Sequence, residues 1–169
     1  MLLQIPLLAQ LLQRSLDVAE RVVLIRSLPD RRLLTNAGAN LNTEPDGLFF
    51  TWETMRSGRL QLVEREGQGV MELEGTPDLV LEIVSKSSVR KDTVFLRDLY
   101  CKAGIQEYWL VDVREGATSF EVLQWTPQGY AAAPAVNGWI SSKVFGKKFQ
   151  LQKKSDPLGH PQFVVAVGD

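Results

Sequence analysis

The sequence predicts an α/β fold, and three observations carry that expectation. Apolar residues recur at three- and four-residue spacing near the amino terminus, short extended runs follow from residue 59, and a strand, helix, strand pattern occupies residues 78–112. A chain of 169 residues is the size of one domain with one core, so residues 1–169 are read as a single unit.

Leu8, Leu11, Leu12, Leu16, Ala19 and Val23 predict an amphipathic helix over 7–25, with Arg14, Asp17, Glu20 and Arg21 on its polar face. The aperiodic stretch after it, rich in Asn, Gly, Pro and Asp, reads as a long connection with one short strand at 32–35. GLFFTWET at 47–54 is a strand. RLQLVER, GVMELEG and PDLVLEIVS are three more, and their succession predicts antiparallel neighbours.

A helix is expected next. Val89, Leu96, Leu99, Tyr100 and Ala103 form its stripe, Ser88 or Asp92 caps its start, and Gly104 supplies a left-handed end. QEYWLVDV has the continuous apolar character of a strand buried on both faces, so it should lie parallel to the strand before the helix. SFEVLQW and GYAAA form a hairpin across TPQG, and WISSKVFGKKFQLQKK adds a last extended or edge element.

Composition removes several chemistries. The single cysteine, Cys101, excludes an internal disulfide and any CxxC module. The single histidine, His160, excludes sites that need two imidazoles, and its setting in DPLGHPQ is far from any nucleophile turn. A formal net charge of -1 marks no global nucleic-acid binder, so a basic surface has to be local. The amino terminus lacks the basic region of a signal peptide and carries Gln4, Pro6, Gln10 and Gln13. It predicts neither export nor a membrane span, and the expected compartment is the cytoplasm.

The chemistry concentrates in EPDGLFF at 44–50 and TPDLVLEIVSKSS at 76–88. The strand period of two places Asp78, Val80, Glu82, Val84 and Lys86 on one face and Leu79, Leu81 and Ile83 on the other. A carboxylate amid apolar strand residues is costly without a partner, so Glu82 requires a cation, a basic side chain or water. Asp78 lies about 13 Å from it along an extended strand and cannot share one metal ion with it alone. Asp46, after a proline at the start of the preceding strand, is the best partner. Two carboxylates with carbonyls and waters suit Mg²⁺ or Mn²⁺, with Asp78 as an outer or alternative ligand. The competing reading pairs Glu82 with Arg97, Lys86 or Lys91 as a structural ion pair and treats both Pro-Asp dipeptides as turn starts.

PDLVLEIVS, SSVRKDT and LYCKAGIQEYWLVD resemble the core signature of the bacterial putative restriction endonuclease family, a branch of the PD-(D/E)XK nucleases. Glu82, Ser85, Asp92, Tyr100, Gly104, Glu107, Tyr108, Trp109 and Asp112 stand in register with it. The resemblance implies a restriction endonuclease-like αβββαβ core, a mixed sheet flanked by helices. It also implies Mg²⁺-dependent hydrolysis of DNA phosphodiesters, with Asp46 and Glu82 holding the metal and a lysine orienting the attacking water.

Two departures accompany it. Val84 and Leu96 occupy the two positions where that lysine is expected, and Glu20 is the nearest stand-in for an acidic residue from the first helix. Lys86 and Lys91 are the replacements. Lys91 is favoured, because a crossover helix packs back over the sheet. The same departures make a catalytically silent module, binding nucleic acid or a protein partner, the alternative function. A homodimer is a further expectation. Lys143, Lys147, Lys148, Lys153 and Lys154 read either as a DNA-contacting edge or as charges that protect an edge strand from pairing. The four tryptophans are expected in packing and Cys101 as a buried thiol.

Overall fold

The structure, a computed structural model, describes residues 21–25, 33–65 and 69–169. The region expected as the first helix, with Glu20, lies outside them up to residue 20. Its last five residues are instead strand β1 (Arg21–Ile25), antiparallel to β4 (Gly47–Thr51). RVVLI is a run of β-formers, and pairing with an open strand edge overrides the helical period.

β2 (Leu33–Asn36) is the short strand of the connection, followed by a single tight helical turn and β3 (Leu41–Thr43). β4 ends earlier than expected, because Thr51 caps α1 (Trp52–Arg56) by accepting from Thr54 N at 3.2 Å. β5 (Leu60–Arg65) and β6 (Gly69–Gly75) pair antiparallel. β6 does not pair with β7 (Leu79–Val84), contrary to the sequence expectation: it lies parallel to β2, while β7 joins β4 and β8 (Glu107–Arg114) in another sheet. The difference follows burial. β7 is apolar on both faces and needs a neighbour on each side, whereas β6 alternates the buried Leu73 with the exposed Glu74. Gly75, at φ 120°, makes the break, where a Cβ would meet the Arg59 carbonyl oxygen at 2.1 Å.

β7 and β8 are parallel, joined by the expected helix. That helix opens with a widened π turn (Lys91–Leu96) and continues as α2 (Arg97–Lys102). It ends as expected, with Gly104 at φ 74° donating to Cys101 O and Ile105 N to Tyr100 O. Asp92 is no cap; it lies buried inside the π turn. β9 (Ala117–Thr126) and β10 (Gly129–Ala132) form the predicted hairpin and complete the sheet in the order β1-β4-β7-β8-β9-β10.

The remainder is a second sheet, β11 (Ala135–Val136), β12 (Trp139–Ser142), β13 (Lys147–Ser155) and β14 (Pro161–Gly168). β13 is therefore an interior strand, not an edge. β14, unread in the sequence, pairs with it along its whole length through Phe163, Val164 and Val165.

Two cores flank the central sheet. Even-numbered β7 residues Val80 and Val84 pack with Leu48, Phe50, Tyr108, Leu96 and Tyr100 beneath α2, where Leu34, Leu60 and Leu73 of a further sheet, ordered β3-β2-β6-β5, also bury. Odd-numbered Leu79 and Leu81 pack with Trp109, Phe145, Phe149 and Phe163 of the C-terminal sheet. The alternation read for β7 therefore holds, and it aims Glu82 at the helix-covered face. Trp109 is core, whereas Trp52 and Trp125 are exposed and Cys101 is only half-buried.

Candidate active site

Asp46 precedes β4, whose register sets Gly47 opposite Leu81, so Asp46 comes opposite Glu82. Its Oδ2 accepts from Ile83 N at 2.9 Å, which fixes the carboxylate against β7. Glu82 is 1% exposed and accepts the Tyr100 hydroxyl proton at 2.6 Å. Glu82 feels the charge of Asp46, and Lys91 feels both.

Burial pushes the Glu82 carboxyl up to about 8 from 4.5; Tyr100 and Lys91 oppose the rise, while Asp46 and Asp92 add to it. Burial works against the Lys91 ammonium, but Glu82, Asp92 and Asp46 outweigh it and raise its proton affinity. Lys91 sits 3.2 Å from Asp92 Oδ1, with its own side chain 51% exposed and Asp92 1% exposed. That Asp92 oxygen has no well-aligned hydrogen bond, while Oδ2 accepts from Ser88 Oγ. Tyr108 donates to Asp92 O at 2.8 Å. Burial and the charge of Glu82 push both tyrosine hydroxyls upward, so they stay protonated donors.

Of the residues chosen from sequence, the structure brings together Asp46, Glu82 and Lys91. Lys86 is exposed on the turn after β7 and leaves the strand face it was assigned to, since β7 stops at Val84. Asp78 faces a different set of partners: it accepts from Thr51 N at 2.9 Å, Thr54 Oγ1 at 2.6 Å and Arg59 Nη1 at 3.2 Å. Lys143 is on the turn before β13. Lys147 and Lys153 share one face of β13 with buried Phe149, while Lys148 and Lys154 take the other, so the lysines do not form one stripe.

Asp92, Tyr100, Tyr108 and Ser88 were given no role at the site from sequence. Their signal was the spacing of Asp92, Leu96 and Tyr100, one buried helix stripe that carries a carboxylate and a hydroxyl.

The donor set fits a hard divalent cation. Two carboxylates at facing register positions, one of them buried, could supply oxygen ligands, and the incompletely satisfied Asp92 oxygen adds negative charge near Glu82. Among the described residues no cluster of three Asp, Glu, His or Cys side chains is placed to hold a metal, so carbonyls and waters would complete the shell.

A family profile, Uma2, described as "Putative restriction endonuclease", matches residues 4–153. The chain belongs to this family. Among solved structures, the Uma2 chain is similar to a protein from Anabaena variabilis ATCC 29413 described as a putative nuclease belonging to DUF820. The two share 18% identity with a TM-score of 0.50, over 84% of this chain and 69% of that one, which supports likeness of fold. No curated protein matches. Among the described residues of this Uma2 chain, no helix is long and apolar enough to cross a membrane.

Proposed function

We propose that this Uma2 protein is a divalent-metal-dependent DNA endonuclease with a PD-(D/E)XK-type site. The observation that carries the reading is the convergence of Asp46, Glu82 and Lys91 on the helix-covered face of the central sheet. Family membership supports a nuclease, and the β7, helix, β8 unit agrees with the implied core. Asp46 and Glu82 would hold Mg²⁺ or Mn²⁺, which supplies Lewis acidity toward a phosphodiester and acidifies bound water. Lys91, pinned at Asp92, orients the attacking water. Tyr100 keeps Glu82 in its rotamer, and the Ile83 amide does the same for Asp46.

A second reading, a silent binding module, is favoured by one observation. Val84 and Leu96, the two positions where relatives are expected to carry lysine, are buried in the core and apolar. Nicking of supercoiled plasmid in Mg²⁺ or Mn²⁺, together with calorimetric metal titration, separates the two. Wild type should nick; Glu82→Ala should lose both metal binding and nicking; Lys91→Ala should lose nicking alone. A wild type that cleaves no DNA under any metal or salt condition hands the site to the binding module.

A further inference from the structure

Asp46 and Asp92 both place negative charge on Glu82, and Lys91 sits 3.2 Å from Asp92 as the nearby cation, so a phosphate approaching this site meets more carboxylate than ammonium charge. Positive charge has to come from the rim. The segment immediately after β7 supplies it: residues 85–97 carry Lys86, Arg90, Lys91 and Arg97 against Asp92 and no other carboxylate, and Asp92 is buried.

Lys86 and Arg90 are both exposed, and among the described residues neither has an ion-pair partner. Lys147 and Lys148, by contrast, are already engaged by the Asp169 carboxylate and backbone carbonyl, respectively. Ser85 and Ser87 add exposed hydroxyls to the same turn.

The π turn adds an aromatic surface. Arg90 and Phe95 are five residues apart, which on an α-helix separates them by about 140° around the axis. In a π turn, closed by bonds five residues long, they come onto one side. The Arg90 guanidinium lies 5.1 Å from the Phe95 ring centre, and the ring stays 52% exposed. An exposed aromatic carrying a guanidinium, beside an exposed lysine and exposed serine hydroxyls, matches the needs of a nucleic-acid strand, with cations for phosphates and an apolar face for a base.

We propose that the rim formed by Ser85, Lys86, Ser87, Arg90 and Phe95 is the nucleic-acid-binding surface of this protein, seating the sugar-phosphate backbone beside Asp46 and Glu82. The inference rests on the nuclease reading for the identity of the ligand, but it concerns binding and not cleavage.

Fluorescence anisotropy in EDTA, with a labelled DNA duplex and the same strand unpaired, tests it across a salt series. Lys86→Ala with Arg90→Ala should reduce the log-log salt slope for duplex by about 1.8, or about 0.9 for each lost phosphate contact. Phe95→Ala should weaken the single strand by about tenfold, and more than it weakens the duplex. Lys148→Ala with Lys154→Ala should leave the slope unchanged. An unchanged slope in the rim variant, a slope lost in the β13 variant instead, or no DNA binding by wild type overturns the proposal. A wild type that nicks plasmid while the rim variant binds as wild type does sinks this inference and spares the nuclease. Rim-dependent binding without nicking does the reverse.

Discussion

Tyr100 donates its hydroxyl proton to Glu82 Oε1 at 2.6 Å, with both side chains out of contact with solvent. A residue of the crossover helix thereby reaches down to the one carboxylate in the middle of β7. Tyr100→Phe removes this donor while keeping the ring that packs edge-on against Tyr108. The expected cost is about 1–3 kcal/mol, since a buried carboxyl oxygen loses its partner. Urea denaturation should show that loss with an unchanged m-value, and Glu82 should titrate still higher.

Glu82 also makes stability depend on pH. Its carboxyl holds a proton up to about 8 in the fold, against 4.5 ordinarily, so between those values the folded state binds more protons than the unfolded one. That contribution is fully present below pH 4.5 and is lost as pH rises through about 8. Glu82→Gln stays neutral throughout. The difference in unfolding free energy between wild type and variant should therefore shift in favour of Glu82→Gln as pH is raised across this window. Parallel curves would contradict the assignment.

Asp78 and Asp46 share a Pro-Asp context but should fail differently. Asp78 anchors Thr51, Thr54 and Arg59, so Asp78→Ala is expected to cost on the order of 2–3 kcal/mol by leaving buried donors unpaired, with metal titration preserved. Asp46→Ala should abolish the metal isotherm while costing less stability than Asp78→Ala. Calorimetry and thermal melting on the two variants check both halves.

Glu107 opens β8 on the face away from the site. It accepts from Trp109 Nε1 at 3.0 Å, Ser142 Oγ at 2.6 Å and Lys143 N at 2.6 Å, tying the turn before β13 to the central sheet. Glu107→Ala strands these donors and should destabilise by on the order of 3 kcal/mol. Trp109, now 1% exposed, should shift its fluorescence to the red as the turn loosens.

Much of the architecture around the site was legible because its signals are local. The period of two in LVLEIV correctly separated Val80, Glu82 and Val84 from Leu79, Leu81 and Ile83, and the unbroken apolar run of β8 announced a strand covered on both faces. Gly104 marked the helix end because a left-handed residue is needed there. The strand at Arg21–Ile25 was not legible as one, since a helical period and a β-forming run overlap in it and only the open edge of β4 decides between them. The pairing of β6 with β2 likewise depends on a partner more than thirty residues away.

The sequence by itself determined which residues could carry the chemistry. A lone acidic residue in an apolar strand, a Pro-Asp at the head of another strand and a lysine at a helix start are visible in order and spacing. Tertiary structure alone decided which of them meet. The antiparallel register of β4 on β7 sets Asp46 opposite Glu82 and leaves Asp78 with Thr51, Thr54 and Arg59. The π turn holds Lys91 on Asp92, and the chain's departure from β7 at Val84 takes Lys86 off the strand face. The reason is physical. Strand periodicity fixes a side chain's face from its neighbours along the chain, but a carboxylate's partner is set by register between strands and by helix packing, and those depend on the whole core.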